Sequence, residues 1–429
     1  MVVSLLVVVT AGAAILGIAL APVITTVVAP GFDPETRALT ARMVRILFPT
    51  VGVTIVAAWC LGILNAHRRF FLSYATPAVW NIVQITTLLA LGGLLVGADL
   101  AIALAVAALL GSVLELVLRL PATLRLAGRV RWSLALNTPG VGTVLRAWGP
   151  VVVGAGVVQV SSIIDTQLAS LLGAGAVATL GYAQLLQLLP IALFGVSVAA
   201  VALPELSRDA AAADPAALRR RLVDGARRIL FFVVPSAFAF AALGSPIIGT
   251  LFQRGQFGAA DTDVVASVLA AYAIGLPAQG SIRLFASAFY ALGNTRTPVK
   301  IAALAVAVSA GTGAALMQVL GPAGIALGAA LGAYLNVGLL VTRLERHLGP
   351  VITRDDRPGL VAVLVGSTLG AAAGLGAAGA LGSAPVALRC GAGLLAFGLA
   401  YGAATAGLGH PEARRLLGAL RRRTAATDV

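Results

Sequence analysis

Residues 148–208 read WGPVVVGAGVVQVSSIIDTQLASLLGAGAVATLGYAQLLQLLPIALFGVSVAAVALPELSR. The stretch holds two long apolar segments split by a short Gly-Ala turn. About 20 apolar residues in a helix cross a bilayer core, so each segment is long enough to span. Between them they nonetheless carry Gln159, Ser161, Ser162, Asp165, Gln184, Gln187 and Glu205. A polar group at membrane depth costs several kcal/mol unless it faces protein or water. The pair is therefore expected to line something, within an all-α bundle of membrane-crossing helices.

Composition extends that reading to the whole chain. Of 429 residues, 59% are hydrophobic and 11% are charged, and the mean hydropathy is +0.99. Soluble domains carry about 25% charge, so a polytopic membrane protein is expected. The net charge of +14 raises the question of nucleic acid, and the placement of the charges answers it. The basic residues, Arg in every case but Lys300, concentrate in alternate short loops and the C-terminal tail. This is the positive-inside pattern of membrane topology rather than a basic binding face. Cys60 and Cys390 both fall in apolar segments, which excludes a disulfide framework, and no metal-ligand cluster is present. Met1 leads directly into an apolar run without a basic n-region, as a membrane span does and a cleaved signal does not.

Twelve spans are expected, at 3–28, 38–65, 75–97, 99–120, 147–172, 176–204, 229–252, 263–292, 299–319, 323–343, 359–382 and 385–408. Loops after even-numbered spans hold the Arg clusters, while those after odd-numbered spans hold Arg37 and Arg254. Both termini are therefore expected in the cytoplasm. Two Arg-rich stretches, 122–145 and 209–228, read either as solvated loops or as short interfacial helices against anionic lipid.

An internal repeat sits on this framework. Thr76-Pro77 opens the third span as Thr297-Pro298 opens the ninth. Gly31-Phe32, Glu35-Thr36 and Phe48-Pro49 match Gln256-Phe257, Asp261-Thr262 and Leu276-Pro277. The offset is six spans; because six is even, both units point the same way, a parallel repeat. The expected division is an incomplete N-terminal lobe of four helices (1–121), a cytoplasmic basic linker (122–146), a six-helix C-terminal lobe (147–343), two extra helices (359–408) and a cytoplasmic basic tail (409–429). In this register the counterparts of the fifth and sixth spans would precede Met1.

Six segments in order now resemble a known family: Ala29 to Phe32 (APGF), Ala75 to Asn81 (ATPAVWN), Ile163 to Ser170 (IIDTQLAS), Leu189 to Arg208, Leu251 to Thr262 (LFQRGQFGAADT) and Phe289 to Lys300 (FYALGNTRTPVK). Together they resemble the MurJ/MviN lipid II flippases of the multidrug/oligosaccharidyl-lipid/polysaccharide (MOP) exporter superfamily. The resemblance implies a two-lobed, inverted-V transporter around a central cavity. The family usually has fourteen helices, so these twelve match the third to the fourteenth, and the cavity-lining Arg and Asp of the first two have no counterpart here. A cavity Arg that some members carry in the sixth span falls on Leu185 and is not carried over.

The polar positions carry two readings each. Arg283 lies deep in the eighth span, where snorkelling is difficult, and resemblance implies a cavity cation there for a diphosphate. Gln184 and Gln187 are the nearest polar groups to the displaced Arg and are candidate substrate contacts. Arg42 and Arg45 hold phosphate or snorkel to the outer interface. Asp165 is a proton or cation site coupling transport, or an inter-helix hydrogen-bond acceptor for Ser161, Ser162 or Thr166. Glu115 and Arg119, four apart on one helix face, neutralise each other or lie in the head-group path. Pro49, Pro190, Gly195 and Pro277 are candidate hinges.

Enzyme signatures are absent: no Walker loop and no nucleophile beside a base. The expected function is a flippase that moves undecaprenyl-diphosphate-linked disaccharide-pentapeptide across the bacterial inner membrane by alternating access. No cofactor is expected beyond a coupling monovalent cation or the membrane potential. The partners are the bilayer, that lipid-linked substrate and the cell-wall synthesis machinery, without nucleic acid. Three alternatives stand beside it: an exporter of another polyprenyl-linked glycan, a MATE-like drug or cation antiporter, and a truncated, non-transporting fragment.

Overall fold

The computed structural model describes residues 2–128, 156, 159–351 and 357–415, and among these every regular element is a helix. The chain divides into two compact units, Met1–Gly156 and Val157–Val429. Ten of the described helical segments are long and apolar enough to cross a membrane.

The first unit contains α1 (Val2–Val28), α2 (Pro34–Ala66), α3 (Phe70–Ala75), α4 (Pro77–Leu91) and α5 (Gly97–Ala127). Asp33 starts α2, its carboxylate accepting the Glu35 and Thr36 amides, each at 3.0 Å, with Pro34 in the first turn where no amide is needed. Helix α2 packs on α1 and α5, and α4 packs on α5. Lipid tails are as apolar as Leu, so helices in a bilayer associate through close van der Waals approach and hydrogen bonds. Gly111 of α5 provides one such approach. A Cβ there would sit 3.0 Å from the Trp80 ring, whose indole N–H donates to the Ala108 carbonyl at 3.1 Å.

Arg119 provides the hydrogen bonds. Its guanidinium donates from Nε to Thr76 Oγ1 at 2.6 Å, from Nη2 to the Ser73 carbonyl at 3.0 Å and from Nη1 to the Ala57 carbonyl at 3.4 Å. It also pairs with Glu115 at 2.7 Å. One buried side chain thus ties α5 to α2, α3 and the start of α4.

Two boundaries differ from the sequence expectation. The span expected at 75–97 is broken. Residues of the preceding basic loop fold as α3, Pro77 starts α4 as a new helix, and α4 stops at Leu91 before Gly92-Gly93. Its 15 residues reach about 22 Å, because two glycines in succession favour leaving the helix. The stretch expected at 122–145 begins as the last turns of α5, and its remainder from 129 lies outside the described residues.

The second unit contains α6 (159–171), α7 (Ala174–Pro190), a π-helical segment (Ile191–Val196), α8 (Ser197–Ala211), α9 (Pro215–Phe252), α10 (Ala259–Ala291), α11 (Arg296–Leu320), α12 (Pro322–Leu348), α13 (Arg357–Ala380) and α14 (Val386–Gly407). Helix α10 is central, packed by α7, α8, α9 and α12. The stretch expected as a loop or separate interfacial helix at 209–228 is corrected: after a turn at 212–214, α9 runs continuously from Pro215 into its span. Leu218, Leu222 and Ile229, spaced four and seven apart, are fully buried, so one apolar stripe carries the helix through the Arg-rich segment. Further along, Leu243 leaves helical geometry (φ −112°, ψ 16°) three residues before Pro246, whose ring and missing N–H disturb the preceding turn.

The C-terminal pair α13 and α14 packs on α9, and the Tyr401 hydroxyl donates to the Phe231 carbonyl. Beyond α14, His410 stacks on Phe231 with centroids 4.7 Å apart and accepts the Glu412 amide at Nδ1, 3.2 Å. Glu412 in turn pairs with Arg228 and Arg415. Burial lowers the His410 pKa, with Glu412 opposing and Arg227 assisting that shift. The docked tail therefore binds fewer protons than the released one, and its docking is fully present above the ordinary His pKa and weakens as pH falls below it. The protection of the amides over residues 405–415, taken as exchange relative to the intrinsic rate at each pH, is expected to fall several-fold from pH 7.5 to pH 5.5. The His410→Gln variant should lose that dependence; an unchanged pH response in the variant would assign it elsewhere.

Candidate functional site

In the second unit the polar residues of the opening stretch meet α10 along one seam. Tyr272, Leu276, Gln279 and Arg283 follow at four-three-four spacing, so they share a face of α10. Gln184 of α7 donates from Nε2 to the Tyr272 hydroxyl at 3.0 Å, and Gln187 donates from Nε2 to Gln279 Oε1, also at 3.0 Å. Arg283 lies one turn beyond Gln279. From Tyr272 to Arg283 the seam rises about 16 Å, half the thickness of a bilayer core.

The members differ in availability. Gln187 is buried and bonded to Gln279, so its amide is occupied in this state. Gln184 and Arg283 are exposed. Arg283 makes no side-chain hydrogen bond or ion pair among the described residues, and a guanidinium so placed presents a free fork of donors to an anion. Asp165 on α6 lies near enough to Tyr272 to act on its hydroxyl electrostatically. It takes no hydrogen bond from Ser161, Ser162 or Thr166; the Thr166 hydroxyl donates instead to the Ser162 carbonyl at 2.8 Å.

A backbone anomaly borders the seam. After Pro190 the helix widens into the π segment Ile191–Val196, a bulge of the kind that proline and crowding produce. Within it Gly195 lies against α10, where an added Cβ would be 2.6 Å from the Gly280 carbonyl oxygen. Pro277 sits on the wall of an apolar cavity of about 180 Å³ bounded by α9, α10, α12, α13 and His410. Pro49 lies inside a continuous α2.

The remaining candidates belong elsewhere. Arg42 and Arg45 are exposed on α2 of the first unit, and Glu115 pairs with the buried Arg119. Glu205, read from sequence among the lining residues, instead forms an ion pair with Arg221 at the ends of α8 and α9, where Asp209 also joins. Sequence reading passed over Tyr272 and Gln279. Their signal was present, since Gln279 stands four residues before Arg283 and Tyr272 seven before Gln279.

Comparison with known proteins adds a second line of argument. The family model for lipid II flippase MurJ matches residues 1–397. A probable lipid II flippase MurJ of Rhizobium meliloti (strain 1021) is 32% identical over 363 residues, covering 81% of this chain and 66% of the relative. The lipid II flippase MurJ of Burkholderia cenocepacia is 33% identical over 342 residues, covering 78% and 65%. The chain thus spans slightly less than two thirds of the length of these relatives. Among solved structures, a lipid II flippase MurJ in an inward closed conformation superposes with a TM-score of 0.72 at 22% identity, over 93% of this chain and 82% of that one. An inward-facing MATE family transporter of the MOP superfamily gives 0.66 at 16% identity, over 81% and 80%. These two likenesses concern the fold.

Proposed function

The chain belongs to the lipid II flippase MurJ family, and from that premise we propose that it takes part in moving a lipid-linked peptidoglycan precursor across the bacterial cytoplasmic membrane. The observation that carries the reading is the seam on α10: an exposed Arg283 at membrane depth, one turn from a bonded amide pair and on the same face as the Tyr272–Gln184 contact. Charged groups inside spans are expensive and mark substrate paths. A diphosphate carries the charge that a forked guanidinium binds, while the polyprenyl tail stays in lipid. The Arg-rich helix ends, with both termini, face the cytoplasm in this reading.

Transport draws on a monovalent cation gradient or the membrane potential, and Asp165, within electrostatic range of Tyr272, is the group proposed to sense it. The π segment with Gly195 and the prolines at 49, 190 and 277 are the proposed bending points. The parallel four- and six-helix division belongs to the same proposal, as does docking to cell-wall synthesis enzymes.

The test is translocation of lipid II in proteoliposomes, paired with rescue of a bacterium depleted of its flippase. A hydrogen bond to a charged group is worth about 1.5–3 kcal/mol, so Arg283→Ala is expected to weaken apparent substrate affinity roughly 10- to 150-fold. Arg283→Lys should recover part of it. Wild-type transport by Arg283→Ala would remove the seam from the substrate path.

A further inference from the structure

We propose that the cleft where α2, α3 and α5 meet is a binding site for the phosphate headgroup of an anionic phospholipid, in the leaflet on the arginine-rich side. The cleft measures about 540 Å³ and is lined by Leu64, Arg68, Arg69, Phe70, Phe71 and Arg125, among others. The proposal is independent of which substrate is translocated, because it uses none of the residues of the α10 seam.

Charge is the first argument. Two arginine sites elsewhere are compensated: Arg119 has Glu115, and Arg221 has Glu205 and Asp209. Arg68, Arg69 and Arg125 all line the cleft and are exposed, and among the described residues none pairs with a carboxylate. Three guanidiniums around one concavity attract a multivalent oxyanion, and phosphate matches their fork geometry.

Backbone is the second. Arg68 follows the C-terminus of α2 with φ +57°, the left-handed position that glycine usually occupies after a helix. A side chain there costs about 1–2 kcal/mol. That conformation, unlike a helical continuation, turns the chain into α3 and brings Arg69 and Phe70 onto the cleft wall.

The apolar groups decide the occupant. Phe70 is 52% exposed and Phe71 87% exposed, directly beside the arginines. A free phosphate ion offers nothing to two bare phenyl rings, whereas a phospholipid supplies an anion for the arginines and glycerol and acyl carbons for the rings. The position also fits, since the cleft lies at the ends of two spans, at headgroup depth, where aromatic and basic side chains anchor to the interface.

The experiment titrates the purified full chain in neutral detergent with phosphatidylglycerol or phosphatidylcholine and counts bound lipid by native mass spectrometry. Phosphatidylglycerol should be retained in preference to phosphatidylcholine, and millimolar inorganic phosphate should not displace it. The triple variant R68Q/R69Q/R125Q is expected to bind about 100-fold more weakly, at roughly fivefold per basic residue. The charge-matched control R208Q/R220Q/R346Q should bind as the wild type does, and R68K/R69K/R125K should keep most of the affinity. If the glutamine triple lowers the thermal midpoint, F70S/F71S becomes the reading, with a several-fold loss expected. Equal loss in the control triple, unchanged binding in the glutamine triple or in F70S/F71S, equal retention of the zwitterionic lipid, or displacement by phosphate would each overturn the proposal.

Discussion

Arg119→Ala is expected to destabilise the first unit by about 3–5 kcal/mol, the cost of breaking a buried pair by removing one partner. The side chain is 5% exposed, so its loss leaves Glu115 without a counter-charge and the Thr76 hydroxyl and Ser73 carbonyl without their donor. Neither water nor lipid replaces those bonds at this depth. The double variant Glu115→Ala with Arg119→Ala should be less destabilised than Arg119→Ala alone, because no charge is then stranded. Glu115→Gln should be milder still, since the three bonds to α2 and the α3–α4 junction persist. Thermal or denaturant unfolding in detergent measures all three. If Arg119→Ala unfolds within about 0.5 kcal/mol of the wild type, the size of a neutral surface change, the guanidinium is not what joins these helices.

Gly328→Val in α12 is expected to be of similar size for a different reason. A Cβ at Gly328 would lie 2.5 Å from the Gly313 nitrogen, 2.6 Å from the Gly313 Cα and 2.7 Å from the Ser309 carbonyl oxygen. All three are backbone atoms of α11, so no side chain can turn aside and the helices must separate. Gly324 and Gly332 sit one turn either side, with added Cβ atoms 2.4 Å from Leu316 backbone and 2.8 Å from the Ala305 carbonyl oxygen. Together they form a small-xxx-small face that lets two backbones touch. Overpacking ordinarily costs about 1–3 kcal/mol. Gly328→Ala should fall there, and the branched valine should exceed it. Gly338, on the same helix, has nothing within 4 Å of its would-be Cβ, so Gly338→Ala should be neutral or slightly stabilising. Equal effects at 328 and 338 would mean that helix propensity, not the α11 contact, sets the result.

The same glycines show how much was legible in advance. The sequence displays the four-residue spacing of 324, 328 and 332, but Gly398 and Gly402 of α14 repeat it and have no neighbour within 4 Å. Spacing defines a face; only the fold says whether another helix lies against it. The polar residues divide likewise. Gln184 and Gln187 looked equivalent from sequence, yet Gln187 is buried against a partner 92 positions away and Gln184 is exposed. The pairing of Glu115 with Arg119 was readable because four residues is one helical turn. The reach of Arg119 to Thr76, 43 positions back, was not.

The sequence by itself determined the membrane class, the all-helical architecture and the family resemblance. Burial of an apolar helix in lipid is a local transfer free energy, which adds along the chain and leaves its mark in every window of about 20 residues. Tertiary structure alone decided that Gln184 meets Tyr272, that Gln187 meets Gln279, that Arg119 reaches Thr76 and that Arg68, Arg69 and Arg125 share a cleft. Those outcomes depend on which backbones approach within a hydrogen-bond length, a distance in space that no spacing along the chain encodes.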